Sequence, residues 1–84
     1  MIPQIRILDL DPGRLMVLEP RVKSILRRAG FKARVEMVSD NLAITRLGLL
    51  DKMPALEING FIVSHSRPLA PERLKMLLQN HLTP

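Results

Sequence analysis

Few side chains in this 84-residue chain have the types and spacing needed for covalent or metal chemistry. There is no cysteine, which excludes a disulfide, a thiolate nucleophile, a cysteine-ligated zinc ion and an iron–sulfur cluster. The two histidines, His65 and His81, are not spaced as a pair of metal ligands. We therefore expect no metal and no cofactor. Enzymatic activity of another kind stays open, but it is not favoured.

A nucleophile and a base are neighbours in Ser64-His65-Ser66. Such a pair supports nucleophilic catalysis only where the fold brings both groups together with a third, orienting group. Adjacent residues of a strand point to opposite faces of the sheet. We therefore interpret this segment as the end of a strand and predict no catalytic residue in it.

The charge balance is basic, with 13 Lys and Arg against 8 Asp and Glu, and this favours anionic partners. The local density of positive charge is highest at Arg21, Lys23, Arg27, Arg28, Lys32 and Arg34. Because Phe31 and Phe61 are the only aromatic residues, a stacking surface for nucleic-acid bases is not expected. We interpret the basic run as a solvated helix face, and nucleic-acid binding is the weaker alternative.

Length and hydropathy predict a single domain over residues 1–84. No apolar run approaches the roughly 20 residues that a membrane-spanning helix needs, so no membrane association is expected. The first residues lack the basic and apolar regions of a secretory signal. A cytoplasmic location is therefore predicted.

The first half of the chain predicts strand, helix and strand. Residues 5–8 are a short apolar run typical of a buried strand. Asp11 is placed to cap a long helix with Pro12 as its first residue and Gly30 at its end. Residues 32–38 then alternate as in a strand near a sheet edge.

The second half predicts a short helix, a hairpin and a last helix. Ser39 or Asp40 caps the short helix, which Gly48 ends. Asn59-Gly60 separates two apolar runs, 55–58 and 61–64, and this dipeptide is typical of a type I′ hairpin turn. The resulting order, β-α-β-α-β-β-α, predicts an α/β sandwich with a mixed sheet of four strands.

This order, with Pro54 directly before the third strand, resembles the thioredoxin-like fold, and most closely its small, glutaredoxin-sized archaeal and bacterial members. The segment Met53-Pro54-Ala55-Leu56-Glu57-Ile58-Asn59-Gly60 looks like the T-P-A-L-x-I-D/N-G motif of that family. The resemblance implies a three-layer sandwich with helices on both sides of the sheet. It also implies a cis peptide bond before Pro54.

The redox motif of that family, Cys-x-x-Cys, opens the first helix. In an ungapped comparison its four positions are Pro12, Gly13, Arg14 and Leu15, so both cysteines are missing. Leu15 is expected to fill the space of the second sulfur and to be buried. The resemblance therefore supports the fold and the location of a site, but not dithiol chemistry.

The leading functional hypothesis is a non-catalytic binding or assembly module that uses this degenerate active-site surface. In the family, the residue before the cis-proline pairs its main chain with an extended substrate, and Met53 takes this place. An exposed loop would let Leu49, Leu50 and Met53 add apolar contacts, while Arg14 at the rim would favour an acidic partner. The candidate binding residues are Pro12, Gly13, Arg14, Leu15, Leu49, Leu50, Met53 and Pro54.

The expected partner is a protein or a peptide, and a second copy of the chain is one form that it can take. The main alternative is a redox accessory protein of the same family that acts together with a thiol-bearing partner.

Overall fold

The computed structural model describes residues 2–82, which form seven elements in the predicted order. They are β1 (Gln4–Leu8), α1 (Pro12–Ala29), β2 (Arg34–Val38), α2 (Asn41–Arg46), β3 (Ala55–Ile58), β4 (Phe61–Ser64) and α3 (Pro71–Leu82).

The four strands form one mixed sheet in the order β2-β1-β3-β4. β1 and β2 are parallel, with Ile5 opposite Val35, and α1 connects them. β3 lies antiparallel to both β1 and β4. β2 is therefore an edge strand, as its alternating sequence predicts.

Side chains alternate between the two faces of the sheet and pack into two apolar clusters. Ile5 and Ile7 of β1 face α1 and α3 in the larger cluster. Leu8 faces the other way and packs against Ile44 of α2 in the smaller cluster. The sheet is thus covered by α1 and α3 on one face and by α2 on the other, which gives three layers.

Capping residues set both ends of α1 where the sequence predicts them. The side chain of Asp11 accepts hydrogen bonds from the N–H groups of Gly13 (2.9 Å) and Arg14 (3.4 Å), and Pro12 is the first helical residue. Gly30 follows the last turn with a φ of +73°, and its N–H donates to the Arg27 carbonyl. No helix within residues 2–82 has the length and apolar character needed to cross a membrane.

The hairpin turn between β3 and β4 also confirms its prediction. Asn59 and Gly60 have φ values of +52° and +88°, and positive φ at both central residues is what a type I′ turn requires. The N–H of Asn59 donates to the Gln4 carbonyl, which ties the turn to the start of β1.

The short helix α2 buries less than its sequence suggests. Asp40 caps it, and it ends at Arg46 with Leu47 as the C-terminal cap. Ile44 is buried, whereas Leu42 and the cap residue Leu47 are exposed. Six residues make fewer than two turns, so only a narrow stripe of this helix reaches the sheet.

Candidate functional site

Three loops meet at one edge of the sheet because of the strand directions. β1 and β4 both end at this edge, and β3, which is antiparallel to them, begins there. A groove of about 830 Å³ opens at this point, and we call it the α1 groove. One wall is the side of α1 that carries Gly13, Arg14, Val17, Leu18 and Arg21. Met53 and Pro54 form the floor, and residues 66–71 form the other wall.

Hydrogen bonds connect the floor of the α1 groove to the loop after β1 and to the loop after β4. The peptide bond between Met53 and Pro54 is cis, as the resemblance implies. The N–H of Leu10 donates to the sulfur of Met53 at 3.1 Å, and the N–H of Ser66 donates to the Lys52 carbonyl at 3.0 Å. Met53 is therefore half-buried and fixed rather than lying in an exposed loop as predicted.

The main chain of Met53 is left open by this arrangement. Within residues 2–82, neither its N–H nor its carbonyl takes part in a main-chain hydrogen bond. The first strand residue, Ala55, lies two residues later and pairs with Leu8. Met53 thus offers one donor and one acceptor just before the ladder of β3 begins.

A buried carboxylate lies behind the start of α1. Asp9 directly follows β1 and is 0% exposed. Its oxygens accept hydrogen bonds from Nε (2.6 Å) and Nη2 (2.9 Å) of Arg14 and from the N–H of Asp11 (2.9 Å). The Asp11 carboxylate also lies 3.6 Å from Nη1 of Arg14. One guanidinium therefore bridges two carboxylates.

The contacts in this cluster favour the charged forms of both Asp9 and Arg14. Burial by itself raises the pKa of Asp9, but the hydrogen bonds from Arg14 and from the Asp11 N–H, with the charge of Arg14, outweigh it and lower the pKa. The same contacts raise the pKa of Arg14. Arg14, which the sequence places at the rim to favour an acidic partner, therefore already has two carboxylates, those of Asp9 and Asp11, as partners.

Four of the eight predicted site residues lie together in the α1 groove: Gly13, Arg14, Met53 and Pro54. Pro12 is exposed at the first position of α1 but lies outside the groove lining. Leu15 is 6% exposed and packs in the larger core cluster, which confirms its predicted burial.

The two leucines of the loop after α2 do not extend the groove. Leu49 is 5% exposed, and it packs with Leu8, Val38 and Ile44 in the smaller cluster. Its predicted exposure is wrong, because Leu49 covers the sheet face that the short α2 leaves open. Leu50 is exposed, but it does not line the α1 groove.

Sequence reasoning missed much of the groove wall. Val17, Leu18 and Arg21 follow Arg14 at the spacing of one helix side, and this pattern could have indicated a shared surface. Nη1 of Arg21 donates to the Leu69 carbonyl at 3.0 Å and so joins the two walls. The burial of Asp9 had no comparable signal in the sequence.

The basic residues of α1 and β2 do not share one surface. Arg21 lines the α1 groove, whereas Lys23, Arg27 and Lys32 surround Phe31 at a separate depression of about 420 Å³. The ammonium group of Lys23 lies 3.3 Å from a carboxylate oxygen of Glu19. The positive charge that the sequence places in one run is therefore divided over different sides of the helix.

The serine and histidine at the end of β4 do come together. Nδ1 of His65 lies 3.0 Å from Oγ of Ser66, because Ser66 lies beyond the strand and has a φ of +60°. The segment is the end of a strand, as predicted, because β4 ends at Ser64. The contact forms beyond the strand, where the alternation of side chains no longer applies. Both residues are exposed, and within residues 2–82 no third group hydrogen-bonds to the ring. The same residues contain no group of side chains arranged to hold a metal ion.

No family model matches this chain, and neither a curated protein nor a solved structure matches it. The geometry of the α1 groove therefore carries the functional argument.

Proposed function

We propose that this chain is a thioredoxin-like, non-catalytic binding module that docks an extended peptide segment in the α1 groove. The observation that carries the proposal is the open main chain of Met53 on the groove floor. The order of elements and the sheet topology are consistent with the thioredoxin-like fold that the sequence resembles.

An extended peptide suits this floor because it presents alternating N–H and carbonyl groups. One residue of the peptide can donate to the Met53 carbonyl and accept from its N–H, as an added strand does. Leu10 and Lys52 already hold the loop in position, so little ordering of the loop is needed on binding.

Apolar side chains on both walls supply contacts for the peptide's own side chains. Val17 is 54% exposed on the α1 side. Pro68 and Pro71 lie on the other side and have restricted backbones. Burial of apolar surface against such rigid walls is favourable and costs little side-chain entropy.

The proposal excludes autonomous dithiol chemistry. Thiol–disulfide exchange proceeds through a mixed disulfide, and no residue of this chain can form one. At the positions of the family's cysteines, Pro12 begins the helix and Leu15 is part of the core.

The test is selection of random octapeptides on the purified chain, followed by fluorescence-anisotropy measurement of the best binder on two matched variants. Val17→Asp places a charge in the groove wall. Met16→Asp places the same charge on the preceding residue, which is 77% exposed and outside the groove. We expect Val17→Asp to weaken binding roughly tenfold or more and Met16→Asp to change it less than about twofold.

Equal effects of the two substitutions, or a library without any binder, would contradict the proposal. Amide chemical shifts give an independent check of the floor. Titration with the selected peptide should move the N–H signals of Gly13, Met53 and Ser66 and leave those of α2, on the other face of the sheet, in place.

A further inference from the structure

Charge is distributed unevenly along the α1 groove. At the start of α1, the guanidinium of Arg14 is matched by the carboxylates of Asp9 and Asp11. Two further arginines, Arg21 and Arg67, line opposite walls of the groove. Asp11 is the only acidic residue of the groove lining, so these two arginines have no counter-charge there.

Arg21 and Arg67 keep hydrogen-bonding capacity for a ligand. Arg21 uses Nη1 for the Leu69 carbonyl, and a guanidinium has five N–H donors. Arg67 is exposed. Within residues 2–82, neither side chain forms an ion pair with a carboxylate. Guanidinium groups bind carboxylates with paired, charge-assisted hydrogen bonds, so these two side chains suit an acidic side chain of a ligand.

Building on the proposed function, we infer that the α1 groove selects extended peptides with an acidic side chain, whose carboxylate binds Arg21 and Arg67 on the opposite walls. The start of the helix is not the anion site, because the Asp11 side chain caps its N–H groups and Pro12 has none.

The same selected octapeptides test this inference. We expect Asp or Glu to be enriched at one position of the binders. In the best binder, replacing that residue by its amide should weaken binding about tenfold, the loss expected when a charge-assisted hydrogen-bonded pair is broken.

A charge-matched pair of protein variants separates local recognition from general attraction. Arg67→Glu and Arg46→Glu change the net charge equally, but Arg46 lies at the end of α2 on the opposite face of the sheet. Arg67→Glu should weaken binding of the acidic peptide about tenfold or more. Arg46→Glu should change it less than about twofold, because exposed distant charges are screened. A peptide with Lys in the acidic position should bind Arg67→Glu more tightly than the unmodified protein.

The outcomes distinguish the two proposals. Binders that lose affinity with Val17→Asp but carry no preferred acidic residue would leave peptide docking in place and overturn the acidic specificity. Equal losses for the two arginine variants would also overturn it. Binders insensitive to Val17→Asp would overturn peptide docking itself.

Discussion

Asp9 is completely buried, yet its surroundings favour its charged form. Its pKa lies below the ordinary value of 3.8, so the ionised carboxylate stabilises the folded chain. This contribution is present in full above that ordinary value and is lost as the pH falls through the lower pKa of the folded state. Asp9→Asn should therefore destabilise the protein most near neutral pH, and the difference from the unmodified protein should shrink below about pH 4.

Urea unfolding of both proteins between pH 2 and 7 measures that difference. Asp51→Asn serves as the control because Asp51 is exposed, and it should change the free energy of unfolding by less than about 0.5 kcal/mol. A difference for Asp9→Asn that stays constant over this pH range would show that the carboxylate is not held in its charged form.

The sequence predicts the burial of some residues but not of others. Leu15 belongs to a regular apolar stripe, so its burial follows from helix periodicity alone. Asp9 follows a strand, where a carboxylate is usually solvated, and its burial depends on Arg14 folding back from the next helix. Leu49 lies between Gly48 and Leu50, and nothing local indicates which of the two leucines fills a gap beside α2.

The end of α1 depends on one backbone conformation. Gly30 has a φ of +73°, and a Cβ added there would meet nothing within 4 Å. Gly30→Ala should therefore cost about 1 kcal/mol or more through the backbone alone. Gly30→Asn should cost less, because asparagine tolerates this conformation better. Thermal unfolding of both variants measures the order, and equal costs would indicate that the side chain, not φ, sets the penalty.

Elements bounded by strong local signals were predicted closely. Asp11, Pro12 and Gly30 place α1 correctly, and Asn59-Gly60 places the hairpin. The weaker case is α2, where Ile44 is buried but Leu42 and the cap residue Leu47 are exposed. A helix of fewer than two turns has too little periodicity to show which side faces the sheet.

At the scale of the whole molecule, the two basic regions should act separately. Replacing Lys23, Arg27 and Lys32 by glutamine removes the charge around Phe31 and leaves the α1 groove unchanged. Affinity for the selected peptide should change less than about twofold at physiological salt, because distant exposed charges are screened. Fluorescence anisotropy measures this change. Loss of peptide binding in this variant would place the binding surface on the basic side of the helix.

The groove as a whole shows what a single sequence can and cannot predict. The predicted order of elements and the proline before the third strand were enough to predict four of its residues, which are Gly13, Arg14, Met53 and Pro54. The wall formed by residues 66–71 could not be predicted in this way, because that segment has no periodic pattern. It reaches the site only because β4 runs parallel to β1 and ends at the same edge of the sheet.

The hydrogen bond from Arg21 to the Leu69 carbonyl holds the two walls of the α1 groove at a set distance. If the proposed peptide docks here, we therefore expect it to enter a recess that is already open and to associate in a single encounter step. The observed association rate should rise linearly with peptide concentration, without the plateau that a slow opening step produces. The conformational entropy lost on binding is then mainly that of the peptide. A peptide stiffened by proline beside its acidic residue should consequently bind more tightly than a flexible one of the same charge.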